Sequence, residues 1–277
     1  MTGIDVTARS SVCLIIGDPV THSLSPTMHN AAYSALGIPF VMAAAHVRAQ
    51  SLPAAIAGIK VLGFRGLAVT MPHKVSIIPL LDELDPTAEQ IGAVNTVVHS
   101  DLKLTGYNTD WLGILTPLER LTDLKGRRVA LLGAGGAAQA ALYACISRGA
   151  HVTIFNRSLD RARALATRWQ CAASTLDAIE EIASCEILIN TTSVGMGELA
   201  SESPISSECL TSNQIVFETI YAPRSTRLVC EAEARGARVI RGIEMFLEQG
   251  IAQFQLHTGV KPPADVMHKV LEVASKA

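Results

Sequence analysis

The sequence predicts an α/β protein of two domains, one of them built on a parallel sheet covered on both faces. Three observations lead to that class. Residues 129–132 form an apolar run, Gly133, Gly135 and Gly136 follow at once, and residues 137–147 read as a small-residue helix closed by Gly149. After this strand, glycine turn and helix, strands at 151–155, 186–190, 214–218 and 238–240 alternate with helices at 158–168, 176–183 and 225–235. Such alternation buries a parallel sheet between helices. Finally, residues 242–257 and 264–275 read as two helices with no strand behind them. They cannot extend that sheet, so they are expected to pack on the N-terminal part. The expected division is a domain of residues 1–108 plus 243–277, interrupted by a Rossmann-type domain of residues 109–242.

Composition supports a folded, globular chain. Its 277 residues suffice for two domains, with 49% hydrophobic and 17% charged residues. Twenty-three basic and 25 acidic residues leave a net charge of −2, which argues against a nucleic-acid or anionic-membrane surface. No apolar run is long enough to span a bilayer, and the first ten residues lack the apolar core of a signal peptide. Cys13, Cys145, Cys171, Cys185, Cys209 and Cys230 are scattered without C-x-x-C spacing. They read as buried thiols in a reducing cytoplasm rather than as a disulfide frame or a zinc site.

Taken from the start, residues 12–17 are an apolar strand running into Asp18-Pro19. Ser25 and Pro26 then read as N-cap and first residue of a helix that stops at Gly37. Ser23 and Ser25 thus lie at a strand-to-helix corner, where hydroxyls and helix N–H groups converge; capping alone would equally explain Ser25. A helix is expected over 51–62 and a strand over 66–70. Pro72 ends the ladder and starts a helix expected to run through Ile77, Ile78 and Leu81. Lys74 is thereby held near the carboxyl end of a strand, where sites of α/β sheets collect; His73 reads as a loop residue. Asp85-Pro86 starts another helix, and residues 91–98 read as a strand carrying the polar pair Asn95-Thr96. A buried Asn must satisfy its amide, through backbone or through a ligand. Ser100-Asp101 turns a hairpin into residues 103–107, and Asp110 opens a helix over 111–121.

The strand at 129–132, Gly133, Ala134, Gly135, Gly136 and Ala137 form the geometry in which backbone N–H groups meet a pyrophosphate. Glycines are needed there because a Cβ would block the turn and the approach of phosphate; Ala138 takes the third glycine position. About 20 positions beyond such glycines, NAD-binding chains carry an acid for the ribose 2′-hydroxyl. This chain instead carries Asn156-Arg157-Ser158, with Arg161 one turn on. Guanidinium groups fork onto phosphate, so the expected cofactor is NADP.

These segments together resemble the shikimate dehydrogenase family along the whole chain. The resemblance rests on S-L-S-P (23–26), V-T-M-P-H-K (69–74), G-A-V-N-T (92–96) and G-Y-N-T-D (106–110). It continues in G-A-G-G-A (133–137), N-R-S (156–158), N-T-T-S-V-G-M (190–196) and G-I-E-M-F-L-E-Q-G (242–250). It implies a reversible NADPH-dependent reduction of 3-dehydroshikimate to shikimate, on the route to chorismate and the aromatic amino acids. It also implies a discontinuous substrate-binding domain facing a nucleotide domain, with no metal and with a homodimer admitted. By matching motif, Lys74 and Asp110 are the catalytic groups, and Ser23 and Ser25 take the substrate carboxylate. Thr70, Asn95, Asp110, Tyr221 and Gln249 are implied to bind the ring hydroxyls or the carboxylate. Gly133 to Ala137, Asn156, Arg157, Ser158 and Arg161 bind the dinucleotide, while Thr191, Thr192, Thr219 and Gly242 line its nicotinamide side. The chain departs from the commoner D-x-V-Y-N-P at residues 218–223, where it reads E-T-I-Y-A-P. Trp111 replaces a common Gly, and Glu244-Met245-Phe246 with Gln253-Phe254 is closer to the quinate/shikimate branch. A broader quinate/shikimate or aminoshikimate dehydrogenase, and a ligand sensor without catalysis, are the alternatives.

Overall fold

The computed structural model describes residues 6–274. Two compact units emerge, Met1–Thr109 with Gln249–Ala277, and Asp110–Glu248. The first carries β1 (Ser11–Gly17), α1 (Ser25–Leu36), β2 (Phe40–His46), α2 (Leu52–Leu62) and β3 (Gly66–Val69). It continues with α3 (His73–Ser76), β4 (Glu83–Leu84), α4 (Pro86–Ile91), β5 (Thr96–Ser100) and β6 (Lys103–Tyr107). The second carries α5 (Asp110–Glu119), β7 (Arg128–Leu132), α6 (Gly136–Ile146), β8 (His151–Phe155), α7 (Leu159–Trp169) and β9 (Ala172–Ser174). It goes on through α8 (Ile179–Ala183), β10 (Ile187–Asn190), β11 (Ile215–Glu218), α9 (Arg227–Ala234) and β12 (Arg238–Ile240). Helices α10 (Gly242–Thr258) and α11 (Ala264–Ala274) close the chain.

The second unit is a six-stranded sheet in the order β12-β11-β10-β7-β8-β9, parallel throughout. Counting from β7, this is the 3-2-1-4-5-6 order of the doubly wound fold, with its switch point between β7 and β10. Strands β10 and β11, ILIN and IVFE, are buried at every residue, as a parallel sheet covered on both faces requires. Leu132, Phe155, Leu188, Val216 and Leu228 share one of its cores. Each such side chain contributes about 1.5–3 kcal/mol through burial.

The first unit holds a mixed sheet in the order β2-β1-β3-β5-β6-β4. Strands β2, β1 and β3 are parallel, β5 runs antiparallel to β3 and to β6, and β4 is parallel to β6. Ile16, Ile56, Ile59, Leu67, Val69, Ile77 and Val97 form its principal core. Helix α11 packs on α1, so the last helix returns to the N-terminal part.

Several elements differ from the sequence expectation. The helix after Pro72 lasts one turn and ends at Ser76, followed by a 3₁₀ turn at Ile78–Leu80. Pro79 has no N–H to give and its ring would strike the carbonyl of Val75. Residues 91–98 are not one strand: Ile91 ends α4, Gly92 takes φ 73° as its cap, and β5 begins only at Thr96. Asp85 does cap α4, accepting the Thr87 N–H at 2.9 Å. Strands β2, β4 and β9 were not anticipated, and each lies at a sheet edge. The return to the first unit falls inside α10, between Glu248 and Gln249, rather than at the start of that helix.

Candidate active site

In the first unit, β1 and β3 are parallel neighbours, so the segments leaving Gly17 and Val69 depart from the same, carboxyl end of the strands. The first leads to Ser23 and Ser25. Ser25 is buried, but it does not cap α1: the helix already includes it, and Leu24 holds the cap position without a side-chain bond. Instead Ser23 Oγ accepts the Ser25 N–H at 3.2 Å. Pro26 at N2 is compatible with this shift because its missing N–H has no intrahelical acceptor there. Among the described residues the hydroxyl protons of Ser23, Ser25 and Thr70 are given to no protein acceptor, so all three are free to donate.

The segment leaving β3 carries Thr70, His73 and Lys74. His73 is fully buried in α3, not in a loop, and its Nε2 lies 2.6 Å from Val47 O. The Lys74 carbonyl accepts the Val94 N–H at 2.7 Å, so the lysine's backbone is pinned beside Asn95. Asn95 is buried, and its Nδ2 donates to Thr109 Oγ1 at 2.9 Å. Its Oδ1 accepts the Thr109 N–H at 2.7 Å and the Thr96 hydroxyl at 2.8 Å. Asn108 Nδ2 donates to Ala93 O at 2.8 Å. Asn108 and Thr109 are therefore both tied to the G-A-V-N-T segment. Gln253 on α10 adds a bond from Nε2 to Thr96 Oγ1 at 2.9 Å, and Gln249, one turn earlier, is buried. Sequence reading singled out neither Thr109 nor Gln253 as functional; the polar letters of N-T-D and of α10 were the available signal.

Asp110, the first residue of α5, is buried and belongs to the second unit, as does Tyr221. Tyr221 packs on Phe246 with ring centroids 4.5 Å apart. The candidate residues are thus shared out: Ser23, Ser25, Thr70, Lys74, Asn95 and Gln249 in one unit, the remainder in the other.

At the switch point of the second sheet, Gly133 takes φ 108° and its missing Cβ would lie 2.7 Å from Thr191 Oγ1. Only glycine fits that turn. Gly135 differs, since a Cβ there would point into open space. It is the N-cap of α6 and makes no side-chain cap bond, which leaves the first N–H groups of the helix for an anion. Beyond β8, Asn156 Nδ2 donates to Ser158 O at 2.9 Å. Ser158 caps α7 by position without spending its hydroxyl on it. Arg157 and Arg161 are exposed, and among the described residues no carboxylate pairs with either. Two free guanidinium groups, a free hydroxyl and no acid in the ribose slot suit a 2′-phosphate; Asp160 in the same turn is the opposing charge.

The three threonines contrast with the hydroxyls of the first unit. Thr191 Oγ1 donates to Leu132 O at 2.7 Å, Thr192 Oγ1 to Asn190 Oδ1 at 2.7 Å, and Thr219 Oγ1 to Asn190 O at 2.7 Å. Their protons are spent, so they offer lone pairs alone, as a carboxamide NH₂ requires. Gly242 serves by close approach: a Cβ there would lie 2.3 Å from Ile220 O, so α10 starts directly against the loop after β11.

A doubly wound sheet with a glycine turn at its switch point, joined to a second α/β unit, marks a dinucleotide-binding protein as the class. Family models agree along the chain: the shikimate dehydrogenase substrate binding domain matches residues 15–97, and shikimate / quinate 5-dehydrogenase matches residues 117–226. The shikimate 5′-dehydrogenase C-terminal domain matches residues 242–272. The shikimate dehydrogenase (NADP(+)) of Moorella thermoacetica is 42% identical over 285 residues, covering 99% of this chain and 97% of that protein. A crystal structure of a shikimate dehydrogenase in complex with NADP+ superposes with a TM-score of 0.93 at 36% identity, covering 99% and 98% of the two chains. The Thermus thermophilus enzyme in complex with NADP(H) and shikimate gives 0.88 at 35% identity, covering 95% and 99%. The chain belongs to the shikimate dehydrogenase family.

Proposed function

We propose that this chain catalyses the reversible NADPH-dependent reduction of 3-dehydroshikimate to shikimate. The observation that carries the reading is the contrast between the two sets of hydroxyls: unspent donors in the first unit, acceptors alone in the second. Ser23, Ser25 and Thr70 are matched to an anionic, oxygen-rich substrate. Thr191, Thr192 and Thr219 are matched to a carboxamide. In this assignment the unit Met1–Thr109 with Gln249–Ala277 takes the substrate, and Asp110–Glu248 takes the dinucleotide.

NADPH, when bound, supplies the hydride that reduces the ketone carbon. The chain's task is to orient the substrate and to handle one proton. Ser23 and Ser25 donate hydroxyl hydrogen bonds to the substrate carboxylate, and Thr70, Asn95, Tyr221 and Gln249 hold the remaining oxygens. The Lys74 ammonium stabilises the developing alkoxide and gives its Nζ proton to that oxygen; in the oxidising direction Nζ takes it back. Asp110 is the acidic member of the catalytic pair. The six cysteines carry no disulfide; Cys13, Cys145, Cys185 and Cys209 are buried, whereas Cys171 is half-buried and Cys230 exposed, and burial pushes the Cys13 and Cys145 thiols up to about 12.

The test follows NADPH consumption with 3-dehydroshikimate in wild type and Lys74→Ala. Removing a positioned general acid typically costs about 10²–10⁴-fold in turnover, and that loss is expected while NADPH still binds. Near-normal turnover in the variant would remove Lys74 from the chemistry.

A further inference from the structure

Two buried polar side chains that the proposed chemistry does not use face each other at the carboxyl ends of β10 and β11. Asn190 and Glu218 are register partners on these adjacent strands, and both are fully buried. Asn190 Nδ2 lies 3.0 Å from Glu218 Oε1 and 3.1 Å from Oε2. The Ile220 N–H donates to Oε1 at 3.0 Å, and the Thr226 hydroxyl donates to Oε2 at 2.8 Å. Asn190 Oδ1, on the other side of the amide, accepts the Thr192 N–H at 3.0 Å and its hydroxyl at 2.7 Å. No cation pairs with Glu218 among the described residues; hydrogen-bond donors alone hold it. Burial pushes its carboxyl above the usual carboxylate range while these donors pull it back. A carboxylate in such a place is costly unless its acceptors are filled, and an apolar residue would complete the IVF run of β11 at no such cost.

The donors come from three separate segments: the end of β10, the loop after β11, and the start of α9, where Thr226 also accepts the Val229 N–H at 3.3 Å. The first two segments carry Thr191, Thr192, Thr219 and Tyr221. The loop after β11 is also the surface on which Gly242 rests. We infer that Glu218 is a positioning residue of the nicotinamide end: through Asn190 and Ile220 it sets the two loops that receive that half of the dinucleotide. The adenine end is held by Arg157, Ser158 and Arg161 after β8, which share no hydrogen bond with this network. The inference rests on the dinucleotide assignment given above.

That separation makes the inference testable by comparing two ligands. NADPH occupies both ends, whereas adenosine 2′,5′-bisphosphate reaches the β8 end alone. Glu218→Met keeps the length and removes every acceptor; Asn190→Ser cuts the link from Glu218 to Thr192 while leaving the carboxylate its other donors. In each variant NADPH binding is expected to weaken about tenfold, the effect of one lost charge-assisted hydrogen bond. Turnover should fall as well, with adenosine 2′,5′-bisphosphate binding unchanged. If both ligands weaken in parallel, Glu218 merely holds the unit together and the inference falls; it falls equally if neither weakens. Should Glu218→Met not fold, the ligand ratio in Asn190→Ser decides. Wild-type turnover with 3-dehydroshikimate, run alongside, judges the assigned reaction separately, because the binding ratio needs no substrate.

Discussion

His29 and His257 are completely buried in the first unit, with ring centroids 6.4 Å apart. Burial first, then the neighbouring His257, lowers His29 to about 3; burial lowers His257 to about 4, with Arg65 opposing its charge as well. Both rings are neutral in the folded chain and take up protons more readily once unfolded. Stability is therefore full above the unfolded value near 6.5 and is lost as pH falls toward 4 and 3, by up to about 1.4 kcal/mol per pH unit for each ring. Urea unfolding of His29→Phe should show a shallower acid limb than wild type; an identical limb would mean that His29 is not charged on unfolding. A second residue concerns the cofactor. Arg157→Ala should raise KM for NADPH far more than for NADH, since a charge-assisted hydrogen bond is worth roughly 1.5–3 kcal/mol; equal effects in steady-state assays would refute the 2′-phosphate role. At this scale the sequence was legible where a motif carried the residue. Lys74, Asp110 and the glycine turn stood out, but His73 did not. Nothing in the string shows that the Val47 carbonyl turns toward its ring, and nothing in Ser25-Pro26 shows that the helix begins one residue early. Glu218 was visible as a departure from a common motif, yet its three hydrogen-bond partners converge only in the fold.

Among the elements, the β5–β6 hairpin turns on Asp101 (φ 49°) and Leu102 (φ 64°), both in the left-handed region. Leu102 is 80% exposed, so its side chain recovers nothing from packing. Leu102→Gly removes a steric cost of about 1–2 kcal/mol and adds about 0.5–1 kcal/mol of backbone entropy. A net gain near 0.5–1 kcal/mol is expected, read as a higher urea midpoint with an unchanged slope; a lower midpoint would show that the turn is not strained. The same hairpin was readable from Ser100-Asp101, turn-forming residues between two strand-like segments. Strands β2, β4 and β9 were not readable, and each is an edge. Edge strands are short or half-exposed, so neither continuous hydrophobicity nor clean alternation marks them; β2 keeps a single fully buried residue, Met42. Helix α10 was legible as a helix, but not as an element divided between two units.

For the whole molecule, the two units should answer to different ligands. Anything that binds the native state alone stabilises it by about 2.7 kcal/mol at a hundredfold excess over Kd. In hydrogen exchange, NADP+ is expected to protect amides of Asp110–Glu248, above all the turns after β7, β8 and β10. Shikimate is expected to protect the segments around Ser23–Ser25 and Thr70–Lys74. Uniform protection of both units by shikimate alone would contradict the division of labour. That the last helices belong with the N-terminal part was legible in the sequence, since no strand remained for them to cover.

The split in the first unit also sets a timetable for synthesis. Helix α1 buries Met28, His29, Ala32 and Tyr33, and Phe254 stacks on the last of these with centroids 5.2 Å apart. The partners of that face are translated only after the whole inserted unit, Asp110–Glu248. At ~5–20 residues per second the ribosome needs roughly 7–30 s to travel from Thr109 to Gln249. Throughout that interval the nascent opening domain displays an uncovered oily face, while the inserted sheet can already close on itself. Chaperone dependence should therefore fall on the earliest part of the chain, and a protein halted at Glu248 should be captured by holdases even though its nucleotide unit is complete.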